Sequence, residues 1–194
     1  MMTQFVPFHL ETRRLTLSYP NEPQIRDFYN AIYGTNMFET IVWDGPERAE
    51  ELLEWWEENR KRDPNNMTLR LSLAIIEQCS GRYVGGIGLN PKVDAPKTVT
   101  LSYTMAPHAQ GKGYATEAVR KIVDEAFKHR GAELILGPVF MGNVASKRVL
   151  EKNGFRLDEI APKALKKRGV WIDLWKLSLS RSAWEENSQV HRES

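Results

Sequence analysis

Between residues 69 and 130 the hydrophobic period switches once, from 2 to 3.6. That switch restricts the chain to a sheet with helices laid on it. Leu69, Leu71, Leu73 and Ile75 alternate with polar or small residues, the pattern of a strand with one buried face. Ser80-Gly81 turns the chain into a second strand over 83–89, loosened by Gly85, Gly86 and Gly88. After a proline-bounded loop, Val99, Leu101, Tyr103 and Met105 alternate as a third strand, stopped by Pro107. Such short connections predict an antiparallel meander. Ala115, Ala118, Val119, Ile122, Val123, Ala126 and Phe127 then recur at i, i+3 and i+4, predicting a helix over 113–130 that ends at Gly131.

The flanks extend this pattern. Residues 14–19 read as a strand, and Asn21-Glu22-Pro23 as a helix start with Ile25, Phe28, Tyr29 and Ile32 on one face. Residues 34–45 form an irregular aromatic connection. Pro46 suits a first helical position, which predicts a helix over 47–62 with Leu52, Leu53 and Trp56 inward. Its six glutamates between residues 47 and 58 make a solvated face. Residues 134–140 read as a buried strand and 143–153 as a short helix stopped by Gly154. Strands over 155–160 and 170–179 flank a basic loop carrying Lys163, Lys166, Lys167 and Arg168. Residues 180–194 read as a polar tail that frays. The expectation is one α/β (α+β) domain over 10–180, with terminal extensions at 1–9 and 181–194.

Composition excludes several functions. With 194 residues, 27 basic and 25 acidic, the chain has the length of one domain and a charge of only +2. That argues against a dedicated nucleic-acid partner. Cys79 is the single cysteine, so no internal disulfide forms. The opening residues lack the apolar core of a signal peptide, and no stretch is apolar enough to span a membrane. A cytoplasmic protein is expected. His9, His108, His129 and His191 show no metal-ligand spacing, so no metal is expected.

The chemistry concentrates where the third strand turns into the long helix, at Gln110-Gly111-Lys112-Gly113-Tyr114-Ala115. Glycines there allow close backbone approach to a ligand. The first amides of a helix lack internal partners and sit at its positive end, so the turn suits a pyrophosphate. A P-loop fails because Lys112 is followed by Gly113. A dinucleotide fingerprint fails because Thr116 occupies the third glycine position and antiparallel strands come first. A glycine turn with no ligand stays open on this segment alone.

Gln110-x-x-Gly113-x-Ala115 after an alternating strand resembles the acetyl-CoA pyrophosphate loop of the GCN5-related N-acetyltransferases (GNAT). Leu10-Glu11-Thr12-Arg13-Arg14-Leu15, the run Gly111–Ala118, Asn143-x-x-Ser146 and Val149–Phe155 are similar to the branch of ribosomal-protein alanine N-acetyltransferases. Asp173, Leu179 and Trp184 extend the likeness to about residue 185. The resemblance implies a mixed, mostly antiparallel sheet of six or seven strands, splayed where the fourth and fifth separate, with helices on both faces. It also implies acetyl-CoA in the cleft as cosubstrate, and direct transfer to a primary amine in a ternary complex. The amine is a protein N-terminus or a small molecule.

The resemblance assigns cofactor contacts to Gln110, Gly111, Lys112, Gly113, Tyr114 and Ala115, and to Met105 through its main chain. It gives Asn143 a hydrogen bond to the pantetheine arm, a role compatible with capping its helix. Ser146 would turn its hydroxyl toward the sulfur as a catalytic donor; the plainer alternative is a serine bonded to its own helical turn. Many members carry a glutamate at the start of the third meander strand, where this chain has Thr98 and Thr100. The amine's proton then falls to Glu39 or Asp44, or to water. Phe38 and Trp43 wall the acceptor site or join the core. The alternative function is a non-catalytic CoA-binding sensor or scaffold.

Overall fold

A computed structural model describes residues 8–66 and 68–190, with the side chains of residues 189 and 190 excepted. His191 and the last residues of the expected tail lie outside them. The strands are β1 (His9–Glu11), β2 (Leu15–Ser18), β3 (Leu71–Glu77), β4 (Tyr83–Pro91), β5 (Thr98–Met105), β6 (Leu134–Phe140), β7 (Arg156–Lys167) and β8 (Val170–Ser180). The α-helices are α1 (Glu22–Ile32), α2 (Ala49–Arg60), α3 (Tyr114–Lys128), α4 (Val144–Glu151) and α5 (Arg181–Val190).

All eight strands join one sheet in the order β1-β2-β3-β4-β5-β6-β8-β7. The count exceeds the expected six or seven because His9–Glu11 pairs with Leu15–Ser18 as an added strand. The expected meander is β3-β4-β5, antiparallel throughout. Only β5 and β6 run parallel, and they pair over just three residues each, Thr98–Thr100 with Leu134–Leu136. Beyond Thr100, β5 stays on β4 to Met105 while β6 stays on β8 to Phe140. The sheet therefore opens between β5 and β6, the splay the resemblance implies.

Two cores sandwich the sheet. Leu71, Leu73 and Ile75 pack with Val119, Ile122 and Phe127 of α3 on one face. Ala74 and Ile76 pack with Ile25, Phe28 and Ile32 of α1 and Leu52 and Trp56 of α2 on the other. This corrects the reading of β3 as half-buried. The positions between its leucines hold Ser72 and Ala74, small enough to lie under α1 and α2, so both faces are covered. Leu69 falls outside the strand, in the turn before it.

Local signals set most ends. Asn21 and Gln24 form a reciprocal capping box at α1. The second helix starts at Ala49 rather than residue 47, because Pro46 leads into a bend at residues 47 and 48, and Arg48, the N-cap, makes no side-chain capping bond. The aromatic connection contains a short 3₁₀ turn at Asn36–Thr40. The expected fraying tail is helical over Arg181–Val190. Trp184 stacks near Phe127 with ring centres 5.3 Å apart and donates to Asp124, anchoring α5 on α3. No helix among the described residues is long and apolar enough to cross a membrane.

Candidate active site

Because β5 and β6 are parallel, the helices that follow them start at the same edge of the sheet. β5 ends at Met105 and leads to α3, and β6 ends at Phe140 and leads to α4. Both helix N-termini therefore flank the opening between the strands, at their carboxyl ends, where open α/β sheets bind ligands.

The loop into α3 is shaped by two left-handed residues, Gly111 at φ 75° and Gly113 at φ 78°. Gly113 is the residue before the helix and offers no side-chain cap, so the first amides keep their donors for another acceptor. A Cβ at Gly111 would meet no atom within 4 Å, and one at Gly113 would meet only Arg14, at 3.4 Å from Nη2. The loop's outer side is thus bare backbone. Gln110 donates to the Met105 carbonyl at 3.2 Å, tying the loop to the end of β5. Met105 and Tyr114 are buried, and the Tyr114 hydroxyl donates to Glu77. Lys112 is exposed, with its ammonium 5.9 Å from the Tyr114 ring centre.

At α4, Asn143 is the N-cap: its Oδ1 accepts from the Ser146 amide at 3.0 Å. The Ser146 hydroxyl does not bond back to its own turn. It lies 2.7 Å from the Tyr103 hydroxyl on β5, which also reaches the Ser146 carbonyl at 3.2 Å. This bridge crosses the opening three residues beyond the last parallel pair. Burial pushes the Tyr103 phenol up to about 12, with the Ser146 hydrogen bond opposing in part, so Tyr103 stays a proton donor at neutral pH. The strand periodicity marks Tyr103 only as an inward position; its partner 43 residues away carries no local signal.

The carboxylates expected to serve the acceptor, Glu39 and Asp44, are tied to the β7–β8 hairpin. The basic loop expected around Lys163–Arg168 is the end of β7 and its turn. The tip runs past Leu174, the partner of Phe140, and so extends beyond the end of β6 at the edge where α3 and α4 begin. Lys167 is buried there. Its ammonium donates to the carbonyls of Phe38, Ile41 and Trp43 at 2.9, 2.6 and 3.2 Å and pairs with Asp44 at 3.0 Å. Arg168 bridges Asp44 at 2.9 Å and Glu39 at 3.0 Å. Phe38 is core, whereas Trp43 is half-exposed and meets it edge-on at 5.3 Å.

The Lys167 hydrogen bond, helped by the charges of Lys167 and Arg168, holds the Asp44 carboxyl below the ordinary carboxylate range despite some desolvation. A carboxylate so stabilised is a weaker base. It also ties to pH the strap that Glu39 and Asp44 form with Lys167 and Arg168 of the hairpin tip. A carboxyl with a depressed folded-state pKa stabilises above its unfolded value, and that contribution is lost as pH falls through the folded one. Wild-type protein is therefore expected to lose thermal stability on acidification slightly more steeply than Asp44→Asn, below the usual aspartate range. Parallel melting curves in that range check this, and identical slopes would remove Asp44 from the strap.

Cys79 is exposed in the turn after β3. His108 borders an open cleft of about 350 Å³ with Asp27, Ala31, Arg82 and Tyr83, on the α1 side. Among the described residues no three or more His, Cys, Asp or Glu side chains cluster as metal ligands would.

Residues 14–156 match the family described as Acetyltransferase (GNAT) domain. The chain belongs to the GNAT acetyltransferase family. The GNAT protein of Bacillus subtilis (strain 168) named "Probable N-acetyltransferase YjcK" is 40% identical over 100 residues, covering 51% of this chain and 55% of that one. The chain thus spans about half the length of the curated relatives it matches. Two GNAT-fold structures superpose with TM-scores of 0.76. One is the microcin C7 self-immunity acetyltransferase MccE in complex with acetyl-CoA and AMP, 23% identical over 87% of this chain and 93% of its own. The other is RimL, a ribosomal α-N-protein acetyltransferase, 15% identical over 90% of this chain and 95% of its own. At these identities the two superpositions establish the fold.

Proposed function

We propose that this protein moves the acetyl group of acetyl-CoA to a primary amine, on a protein N-terminus or a small molecule, by direct transfer in a ternary complex. One observation carries the reading: two helix N-termini, at Gly113 and Asn143, follow the two neighbouring strands that part after three paired residues. The residues fit the cosubstrate. Bare backbone at Gln110–Ala115 suits a pyrophosphate. The opening between β5 and β6 suits a narrow pantetheine arm, with the Asn143 side-chain amide available beside it. Acetyl-CoA supplies an activated thioester when bound; the chain supplies position. Holding both reactants in register is worth up to ~7–11 kcal/mol in well-oriented systems, so modest acid–base groups suffice.

Ser146 is the donor to the departing sulfur in this reading. Tyr103 holds it across the opening, and the serine O–H is free for the sulfur when the single phenol proton goes to Oγ rather than to the Ser146 carbonyl. Water is the better proton acceptor on the amine side, because Asp44 and Glu39 are committed to Lys167 and Arg168. Their service is to shape the acceptor wall. The relatives' names support acetyl transfer, and the RimL likeness is compatible with a peptide acceptor.

Acetyl-CoA turnover across a panel of peptides with free N-termini and small amines tests the proposal. CoA binding with no transfer to any of them would favour the sensor or scaffold reading. Ser146→Ala is expected to lower kcat about tenfold, less than the ~10²–10⁴-fold that acid assistance typically provides, because water replaces a hydroxyl in part. CoA affinity should stay within twofold by calorimetry. Equal losses in affinity and turnover would make Ser146 a wall of the pantetheine site.

A further inference from the structure

The turn between β1 and β2 carries a side chain that no part of the proposed chemistry uses. Arg14 lies 103 residues from Glu117 in sequence, yet its Nε and Nη2 both reach Glu117 Oε2 at 2.7 Å. Its own amide donates to Glu117 Oε1 at 2.8 Å, and the Thr12 hydroxyl donates to the same oxygen at 2.6 Å. The remaining guanidinium nitrogen, Nη1, donates to the Lys112 carbonyl at 2.9 Å. The guanidinium also lies over the Tyr114 ring, 4.6 Å from its centre. Arg14 therefore touches the loop, the first residue of α3 and the first turn of α3 at once.

We infer that Arg14 is the positioning residue of the pyrophosphate loop, acting by two means. This rests on the reading of Gln110–Ala115 as the CoA cradle.

The first means is electrostatic. Glu117 sits in the first turn of α3, where a carboxylate suits the helix dipole but opposes a second anion arriving at the same end. Burial pushes Glu117 up, yet the Thr12 and Arg14 hydrogen bonds outweigh it and keep the carboxylate ionised. The negative charge is thus permanent at neutral pH. Arg14's fork cancels it in place.

The second means is geometric. In a planar trans peptide the carbonyl and the following N–H point in opposite directions. Holding the Lys112 carbonyl toward Arg14 therefore turns the Gly113 N–H away from the β1–β2 turn, toward the open side of the loop. Gly113's positive φ is what allows the chain to enter α3 from that orientation. With all its guanidinium nitrogens engaged inside the protein, Arg14 orients the cradle and leaves the contact itself to the backbone.

The test compares CoA with pantetheine, which lacks the pyrophosphate, on the whole chain by calorimetry. Arg14→Met should weaken CoA about tenfold and leave pantetheine within twofold. Adding Glu117→Gln to Arg14→Met should recover at least threefold of the CoA loss, because the uncompensated carboxylate is gone. Should Arg14→Met fail to fold by circular dichroism, Arg14→Lys serves instead. It keeps a charge but cannot span both partners, and it should weaken CoA several-fold with pantetheine unmoved. Equal weakening of both ligands, CoA affinity within twofold of wild type, or no recovery in the double variant would each overturn the inference. Wild-type protein that binds no CoA would instead remove the cradle reading on which it rests.

Discussion

Gly113→Val is expected to weaken CoA binding about a hundredfold while leaving the fold intact. Gly113 stands at φ 78° immediately before α3. A β-branched residue is a true outlier in that region, and holding one there costs about 1–3 kcal/mol. A side chain there would point toward the β1–β2 turn and crowd the Arg14 guanidinium that holds the Lys112 carbonyl, disturbing the orientation of the loop amides. Arg14 Nη2 would lie 3.4 Å from the new Cβ, so the branched methyls press on the guanidinium. Together these amount to about 3 kcal/mol, or two decades of affinity. Calorimetry with CoA decides it, with circular dichroism as the control for folding. Gly111→Ala provides a comparison, because a Cβ there meets no atom within 4 Å and only the backbone strain remains. Unchanged CoA affinity in folded Gly113→Val would end the cradle hypothesis.

Lys167→Met is expected to cost about 2–3 kcal/mol of stability. The substitution preserves most of the stem's packing but removes an ammonium that satisfies the Phe38, Ile41 and Trp43 carbonyls. An orphaned buried acceptor costs about 1–3 kcal/mol, and Phe38 is the most deeply enclosed of the three. The carbonyls of Ile41 and Trp43 are nearer solvent and regain water, which limits the total. For a chain of this length the loss lowers Tm by roughly 5–10 °C. Residues 36–44 should also exchange amide hydrogens faster than the rest of the protein. A Tm within a degree of wild type, with exchange in that segment unchanged, would show that the hairpin tip and the aromatic connection are held together by something else.

Both predictions concern contacts that differ in how far the sequence announces them. Gly113 announces itself. A glycine between an alternating strand and an i, i+3, i+4 helix has one common reason to exist, a left-handed entry into the helix, and the structure shows that φ. Lys167 does the opposite. Within Lys166-Lys167-Arg168 it reads as solvated, because lysine is almost never fully buried unless paired. Its pairing groups are backbone carbonyls up to 129 residues away, which leave no trace in the residue types around them. The same holds for β3. Alternating leucines reveal one buried face, but whether Ser72 and Ala74 face water or a second helical layer depends on where α1 and α2 come to rest.

The amino-acid sequence by itself determined the meander, the long helix, the helix start at Asn21, the Asn143 cap and the order of the glycine and Asn-x-x-Ser motifs. These follow from periodicity and from side chains that act within about four residues of themselves. Tertiary structure alone decided that β5 and β6 part after Thr100, that Tyr103 meets Ser146 across that gap, that Arg14 neutralises Glu117, and that Glu39 and Asp44 close a strap rather than stand free. The physical reason is one of range. Hydrophobic pattern reports how much of a side chain is buried, whereas the partner of a buried or ion-paired polar group is fixed only when distant segments share a wall.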